Sequence, residues 1–498
     1  MKVLLVVIDA ASPRVMCPAV QTGRLPNLKR LADAGEMHQE SVTIFPSITP
    51  AATTSIITGA YPRDHGIAGA SWFDETRGEI AYYGDDFWVI AKEGFGHFLQ
   101  DFLVHLNGDR LTAPTLFETV ERAGKRAACL NYLVHRGLVT HTVNVPWLLA
   151  LLPGVPLTET VLGPQTLCLG DFVDDRPKER QQKTKGSGLL HRFGMDDAGT
   201  AALLEDVVAA GTMPDFTVAY FADNDYRSHE VGPVAALPVI DRVDEALGRM
   251  FDAAGGFDRF MRDTCVIVTS DHGHCEILAD RDAAVIELHH VLEDFRQAEL
   301  ARPWRECDEI MICPNMRAAQ IYVRQPTATQ VEKVAHASLR DRRVDLAVWK
   351  AASSGRTQPY HVIGERGQLT FWRGTGGDAA TQDPWGNAWS WRGELDVLQL
   401  QRDGGSITSA EYPNAFERIA GVLDLEKSGE IWVNARPGCE FEVPGGKAHC
   451  GGGSHGGLHA LESLSPVIAA NAPVALPKQM RSIDLAPLML QVLGIEGR

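Results

Sequence analysis

Four short stretches of this 498-residue sequence carry residues that can do chemistry in concert. Residues 45–59, FPSITPAATTSIITG, place one hydroxyl, Thr49, directly before a proline. Pro50 fits the first position of a helix, where its missing N–H costs nothing. Thr49 is then expected at the N-cap, beside free backbone N–H groups of the kind that attract phosphate-like anions. Alone, Thr49 would only cap its helix. The other stretches change that reading. Asp225-Tyr226-Arg227-Ser228-His229 sets a carboxylate and an imidazole four residues apart, able to reach one ion if the segment turns helically. Asp271-His272 is a second such pair, and residues 451–457 (GGGSHGG) carry His455 on a loop whose glycines permit close packing. With Asp9 near the start of the chain, these make six nitrogen and oxygen donors without a thiolate, enough for two borderline or hard divalent ions.

The elements that must position these groups are legible as patterns. Residues 2–8 are a continuous apolar, β-branched run, the signature of a strand buried on both faces of a parallel sheet, and Asp9 closes it. Residues 42–45 read as a strand ended by Pro46 and Ser47, and Gly59 as the stop of the helix that follows. Helical patterns over 113–123, 198–210 and 233–254 lead into strands at 127–132, 216–221 and 265–269. Helices alternating with apolar strands predict an α/β fold, a three-layer α/β/α sandwich on a mostly parallel sheet. Asp9, Asp225 and Asp271 then follow three separate strands, at the carboxyl edge where open α/β sheets bind ligands.

From about residue 314 to 439 the pattern differs. Residues 319–323, 328–340 and 344–349 read as strand, helix and strand, and 361–372 as a hairpin turning at 365–367. Six of the ten tryptophans (349, 372, 385, 389, 391 and 432) lie here, as expected of a small aromatic core; Trp385, Trp389 and Trp391 are also candidates to stack on a substrate. Residues 481–494 are apolar at helical spacing and return the chain to the sheet. The expected organisation is a core of 1–300 and 440–498 with an inserted α+β cap at 301–439.

The formal charge of −17 argues against nucleic acid or an anionic membrane as partner, since both require a basic surface. An acidic chain that handles phosphate needs cations, and metal ions supply them. The nine scattered cysteines form no C-x-x-C pair and read as reduced thiols. The apolar run before Asp9 is too short for a signal peptide core, and no stretch of about 20 apolar residues occurs, so a cytoplasmic location is expected.

The ordered set resembles the alkaline phosphatase superfamily, and within it the nucleotide pyrophosphatase/phosphodiesterase branch that includes phosphonoacetate hydrolase. The matching pieces are Asp9, Thr49 before its proline, the T-G-x-x-P-x-x-H-G-I run at 58–67, Asp225 with His229, Asp271-His272-Gly273 and His455-Gly456. By that similarity, one ion is held by Asp225, His229 and His455, the other by Asp9, Asp271, His272 and the Thr49 oxygen. Zn²⁺ is the expected ion, with Mn²⁺ or Fe²⁺ as alternatives. Thr49 is the implied nucleophile, forming a covalent phospho-threonine, and the substrate is a small phosphate ester or pyrophosphate, most naturally a diester. A phosphonate hydrolase and a phosphotransferase or mutase remain alternatives on the same fold. The sulfatase variant is not expected, because Thr49-Pro50-Ala51-Ala52-Thr53 lacks the C/S-x-P-x-R pattern.

One departure stands out. The branch carries an Asn after its H-G-I run that holds a phosphate oxygen, and Ala70 occupies that place here. Arg227, between two proposed ligands, is a candidate replacement, its planar fork suiting phosphate oxygens; a solvated arginine is the competing reading. Asn131, Arg136 and the cap are the further alternatives. His274, His289, His290 and His459 lie near the candidate ligands in sequence, with His459 the strongest of them. His65 reads as structural, and Asp223 lacks the matching spacing to His229.

Overall fold

The computed structural model describes residues 1–74, 77–83, 100–146, 158–176, 189–299, 302, 304–351, 359–374, 380–442 and 448–496. Its centre is a nine-stranded sheet in which five neighbouring strands run parallel: Thr264–Thr269, Lys2–Ile8, Phe216–Phe221, Ala127–Leu130 and Thr166–Leu169. Leu464–Ala470 joins antiparallel beside Thr264–Thr269 and carries Gly35–Val42 on its other edge.

The first strand shows why this sheet is sandwiched. Val3, Leu5 and Val7 pack on one face with Thr49–Thr58, Leu116–Arg122 and Leu485–Val492, whereas Leu4, Val6 and Ile8 pack on the other with Pro13–Gln21, Asp197–Ala209 and Pro233–Ala253. Side chains alternate across a strand, so an unbroken apolar run must be covered on both sides. The result is the expected three-layer α/β/α sandwich.

A second, ten-stranded sheet is formed by strands lying between Ile310 and Ala435, nearly all antiparallel. The helix Ala415–Leu423 covers one face together with Trp389, Trp391 and Trp432, and Ala328–Ser338 covers the other with Trp349. Those tryptophans are therefore core; Trp385 lies under the Arg481 guanidinium, 5.8 Å from it. The hairpin expected at 361–372 is Tyr360–Gly364 with Gly367–Arg373.

Buried polar contacts fix this second sheet to the first unit. Asn315 accepts from the backbone N–H of Ala70 and Ser71 at 2.7 and 3.1 Å. Arg317 pairs with Glu462, both wholly buried. Arg418 donates to Leu458 O, Ile44 O and Ser463 Oγ at 3.0, 3.2 and 2.6 Å.

Two boundaries differ from expectation. The strand before Thr49 is Gly35–Val42, not 42–45, because its partner is Leu464–Ala470; beyond Val42 the chain leaves the sheet and Phe45 packs edge-on against Trp432 at 5.3 Å. The helix begins one residue earlier than expected: Ile48 is the extended cap residue, Thr49 is already helical, and its side chain makes no capping bond.

Candidate active site

Three strands of the parallel set deliver an acid at the carboxyl edge. Asp9 follows Lys2–Ile8, Asp271 follows Thr264–Thr269 by two residues, and Asp225 lies in the helix Asp223–Val231 just after Phe216–Phe221. The loops are stitched to one another. Ala10 N–H donates to Asp271 Oδ1 at 3.2 Å, Ala11 N–H to Ser270 Oγ at 2.8 Å, and Asn224 Nδ2 to Asp9 O at 2.8 Å. Ala10 has φ +55°, a conformation L residues resist, and persists because these bonds hold it.

Two buried clusters result. One gathers Asp225, His229, His274 and His455, the other Asp9, Asp271 and His272, with the donor atoms of each cluster within 4.8 Å of one another. In the second, His272 Nε2 lies 3.4 Å from Asp271 Oδ2, 3.7 Å from Asp9 Oδ1 and 3.1 Å from Thr49 Oγ. In the first, Asp225 lies 3.4 Å from His229 Nε2 and 3.5 Å from His455 Nε2. The clusters share a wall, since the His272 and His455 rings stack at 3.8 Å and 17°.

The ring orientations are set from behind. His229 Nδ1 faces Gly453 O at 2.9 Å, His455 Nδ1 faces Ser47 O at 3.0 Å, and His272 Nδ1 faces Gly273 O at 3.0 Å. A carbonyl on Nδ1 fixes the proton there and leaves Nε2 as the lone pair turned inward. The glycine loop makes this possible. A Cβ at Gly452 would fall 2.0 Å from His229 O, and Gly456, at φ +108°, would place one 2.3 Å from Asn315 O.

Electrostatically the site is short of positive charge. Burial first, then the carboxylates of Asp271 and Asp225, push Asp9 well above the usual carboxylate range, against the hydrogen bond that Tyr220 donates to it. Burial also works to raise Asp225, but the charge and hydrogen bond of His229, with the hydrogen bond of His274, outweigh it and hold that carboxyl well below its usual value. Burial and the neighbouring His272 keep His455 well below the ordinary histidine range, so it is neutral, the form that binds a cation.

The sequence-predicted residues divide clearly. Asp9, Thr49, Asp225, His229, Asp271, His272 and His455 are brought together. Arg227 is not: it points from the far side of its helix to Glu230, 2.7 Å away, and its side chain is half exposed. At about 100° per residue, a position two after Asp225 and two before His229 faces opposite to both. Asp223 pairs with Arg192, and His65 bonds Ser55 within the fold at 3.0 Å. His459 caps Ala460–Ser463 and pairs with Glu411, and His290 pairs with Glu287 at the surface. Asn131 Nδ2 donates to Gly194 O and Thr200 Oγ, and Arg136 to Glu118 and the carbonyls of Leu111 and Ala113.

Two residues join the site without a firm signal in the sequence. His274 enters the first cluster because residues Cys275–Glu276 pair antiparallel with Gly453–Ser454, a register no local pattern announces. His449, held by Glu440 at 2.8 Å, lays its ring 4.2 Å from that of His229.

Comparison with known proteins points to one family. A family-wide profile for type I phosphodiesterase/nucleotide pyrophosphatase matches residues 3–370, more than half of the chain. Murine ectonucleotide pyrophosphatase/phosphodiesterase 5 superposes with a TM-score of 0.56 at 15% identity, covering 100% of this chain and 96% of that one. Phosphonoacetate hydrolase from Sinorhizobium meliloti 1021, in complex with phosphonoformate, superposes with 0.54 at 16% identity over 98% of this chain and 95% of its own. Shorter matches occur to 2,3-bisphosphoglycerate-independent phosphoglycerate mutases. That of Wolinella succinogenes is 36% identical over 81 residues, and that of Sulfurimonas denitrificans 35% over 116. These segments are 16% and 23% of this chain but span only 15% and 19% of the mutases. The chain belongs to the type I phosphodiesterase/nucleotide pyrophosphatase family.

Proposed function

We propose that the chain hydrolyses small phosphoric esters, diesters or pyrophosphates before others, at a two-cation centre with Thr49 as nucleophile. The observation that carries this reading is the pair of buried clusters joined by the His272–His455 stack, with the Thr49 hydroxyl 3.1 Å from His272 Nε2.

The residues fit cations on their own terms. Asp9 Oδ1, Asp271 Oδ2 and His455 Nε2 are buried without hydrogen-bond partners, a costly arrangement that a ligand ion relieves. Asp225, His229 and His455 would hold one ion, and Asp9, Asp271, His272 and the Thr49 oxygen the other. The donor set, imidazole and carboxylate without thiolate, suits Zn²⁺, with Mn²⁺ and Fe²⁺ next. Bound there, the ions supply Lewis acidity and a lowered hydroxyl pKa.

The chain's own groups do the rest. The turn of Thr49–Thr58 holds the hydroxyl at the site edge, and Thr49 Oγ forms a bond to phosphorus as the ester P–O bond breaks and the alcohol leaves. Water then takes the phosphoryl group and restores the hydroxyl. Transfer to another acceptor instead of water is the second reading, and it is favoured by the short matches to phosphoglycerate mutases.

Bis(p-nitrophenyl) phosphate and p-nitrophenyl phosphate, assayed after reconstitution with Zn²⁺ or Mn²⁺, test the reading. Chelator-sensitive nitrophenol release that is lost in Thr49→Ala is expected. Release that survives in Thr49→Ala rejects the nucleophile, and phosphate recovered on an added alcohol in place of water selects the transferase.

A further inference from the structure

His274 lies outside the six donors that divide three and three, yet it is wholly buried against them. Its Nε2 is 2.8 Å from Asp225 Oδ1, and its ring centre is 4.7 Å from that of His229 and 5.0 Å from that of His455. The ring has no room to turn away. A Cβ on Gly453 would stand 2.7 Å from His274 Nδ1, so the loop that holds His229 by its carbonyl also presses on His274 from behind. Nδ1 has no hydrogen-bond partner, which leaves Nε2 as the one nitrogen of this ring engaged with anything polar.

We propose that His274 is a fourth protein ligand of the cation held by Asp225, His229 and His455, an inference that rests on the two-cation reading above. The separations are those of donors around one ion. At metal–ligand distances of about 2.0–2.1 Å, neighbouring donors stand about 2.9 Å apart in an octahedral shell and about 3.3 Å apart in a tetrahedral one. Asp225 Oδ1 lies 2.8 Å from His274 and 3.5 Å from His455, and Asp225 Oδ2 lies 3.4 Å from His229. The last two are longer than the roughly 2.7–3.2 Å of ordinary N–H···O bonds and match the spacing of donors about one ion.

The fourth ligand has a chemical consequence. Four protein donors fill a tetrahedral ion, and a catalytic ion needs an open position for water or substrate. An ion that takes five or six ligands keeps one or two positions free. The first cluster is thereby turned toward ions such as Fe²⁺, Co²⁺ or Mn²⁺, and the second, with the Thr49 oxygen counted, offers four protein donors as well.

The test is a Co²⁺ titration of the metal-free full-length protein, followed by the d–d spectrum and by X-ray absorption, which counts imidazoles. Loaded wild-type protein should show four ligating imidazoles per chain, from His229, His272, His274 and His455. His274→Gln, which keeps a donor for Asp225, should show three, with affinity at one site lowered about tenfold or more. His274→Asn serves if the glutamine variant does not fold, and the wild-type count stands without any variant. A wild-type count of three, or an unchanged count and affinity in His274→Gln, overturns the proposal and makes His274 a hydrogen-bond partner of Asp225. If His229→Ala and His455→Ala also leave the titration unchanged, the two-cation reading itself falls.

Discussion

Replacing Arg317 by methionine should destabilise the protein far more than an average core change. Arg317 and Glu462 are both fully buried, and the guanidinium also donates to Cys439 O and Ala435 O at 3.0 and 2.8 Å. Methionine keeps much of the volume but leaves Glu462 as a buried carboxylate without its counter-charge, which costs about 3–5 kcal/mol. Ala435 O keeps Asn434 Nδ2 as a donor at 3.1 Å, and the loss at Cys439 O adds about 1–3 kcal/mol.

Urea unfolding followed by tryptophan fluorescence reads this directly, since Trp349, Trp389, Trp391 and Trp432 pack in the second sheet. Glu462 Oε2 accepts from Gly457 N–H at 2.9 Å, two residues from His455, so a glutamine there retains that bond. Arg317→Met with Glu462→Gln should recover a substantial part of the loss. A single-variant loss below about 1 kcal/mol, or a double variant worse than the single, would refute the claim that this pair is one of the buried contacts fixing the second sheet to the first unit.

Other consequences can be checked separately. Thr49→Ala should lower turnover by at least about a thousandfold while leaving thermal unfolding within about 1 °C, because the hydroxyl bonds only to His272 Nε2 among the contacts described; steady-state kinetics and calorimetry decide it. Arg227→Ala should retain kcat/KM within about twofold, its partner being the exposed Glu230. Saturating divalent cation should raise the unfolding free energy by about 4 kcal/mol for each site at a thousand times its Kd, measured by urea titration with and without chelator. Burial holds His65 at about 3, so it stays neutral in the fold while the unfolded chain gains a proton below about 6.5. Stability from His65 is thus complete above 6.5 and falls toward 3, by about 2 kcal/mol at pH 5. His65→Gln should remove that amount from the pH dependence of the unfolding free energy between pH 7 and 5, measured by urea titration.

Much of the site was legible because it sits where strong patterns end. Lys2–Ile8, Phe216–Phe221 and Thr264–Thr269 are uniformly buried, so their sequences are uniformly apolar and the acids after them stand out. Gly35–Val42 is the opposite case. Its residues are mostly exposed or half-buried and its register shifts between His38 and Ser41, so no alternation betrays a strand whose partner lies more than 400 residues away. The short strands Gln401–Asp403 and Ser406–Thr408 are invisible for the same reason: their order comes from the sheet they extend. Arg227 is different again. Once Asp225 and His229 are placed on one helical face, the residue midway between them must face away, and that inference was available from spacing alone. His274 was not, because a long-range pairing with Gly453–Ser454 brings it in.

The place of the family asparagine shows how the second sheet reaches into the chemistry. Ala70 offers no side-chain donor, and its backbone N–H is taken by Asn315, whose own Nδ2 donates to Ser71 O and Cys313 O at 2.9 and 3.1 Å. Asn315 therefore anchors the loop after His65 and has no N–H left for a phosphate oxygen. Asn131 and Arg136 are likewise committed to protein carbonyls and to Glu118. On the proposed reaction, the non-bridging oxygens are left to the cations and to the first-turn N–H groups that the helix at Thr49 leaves without intrahelical partners. An enzyme built this way depends on its ions for charge that a relative with the asparagine meets partly with a neutral amide. Its rate should therefore change more steeply with the identity of the ion than with any single side-chain donor, and exchanging Zn²⁺ for Mn²⁺ at saturation, with kcat followed on one aryl diester, is the measurement that compares the two.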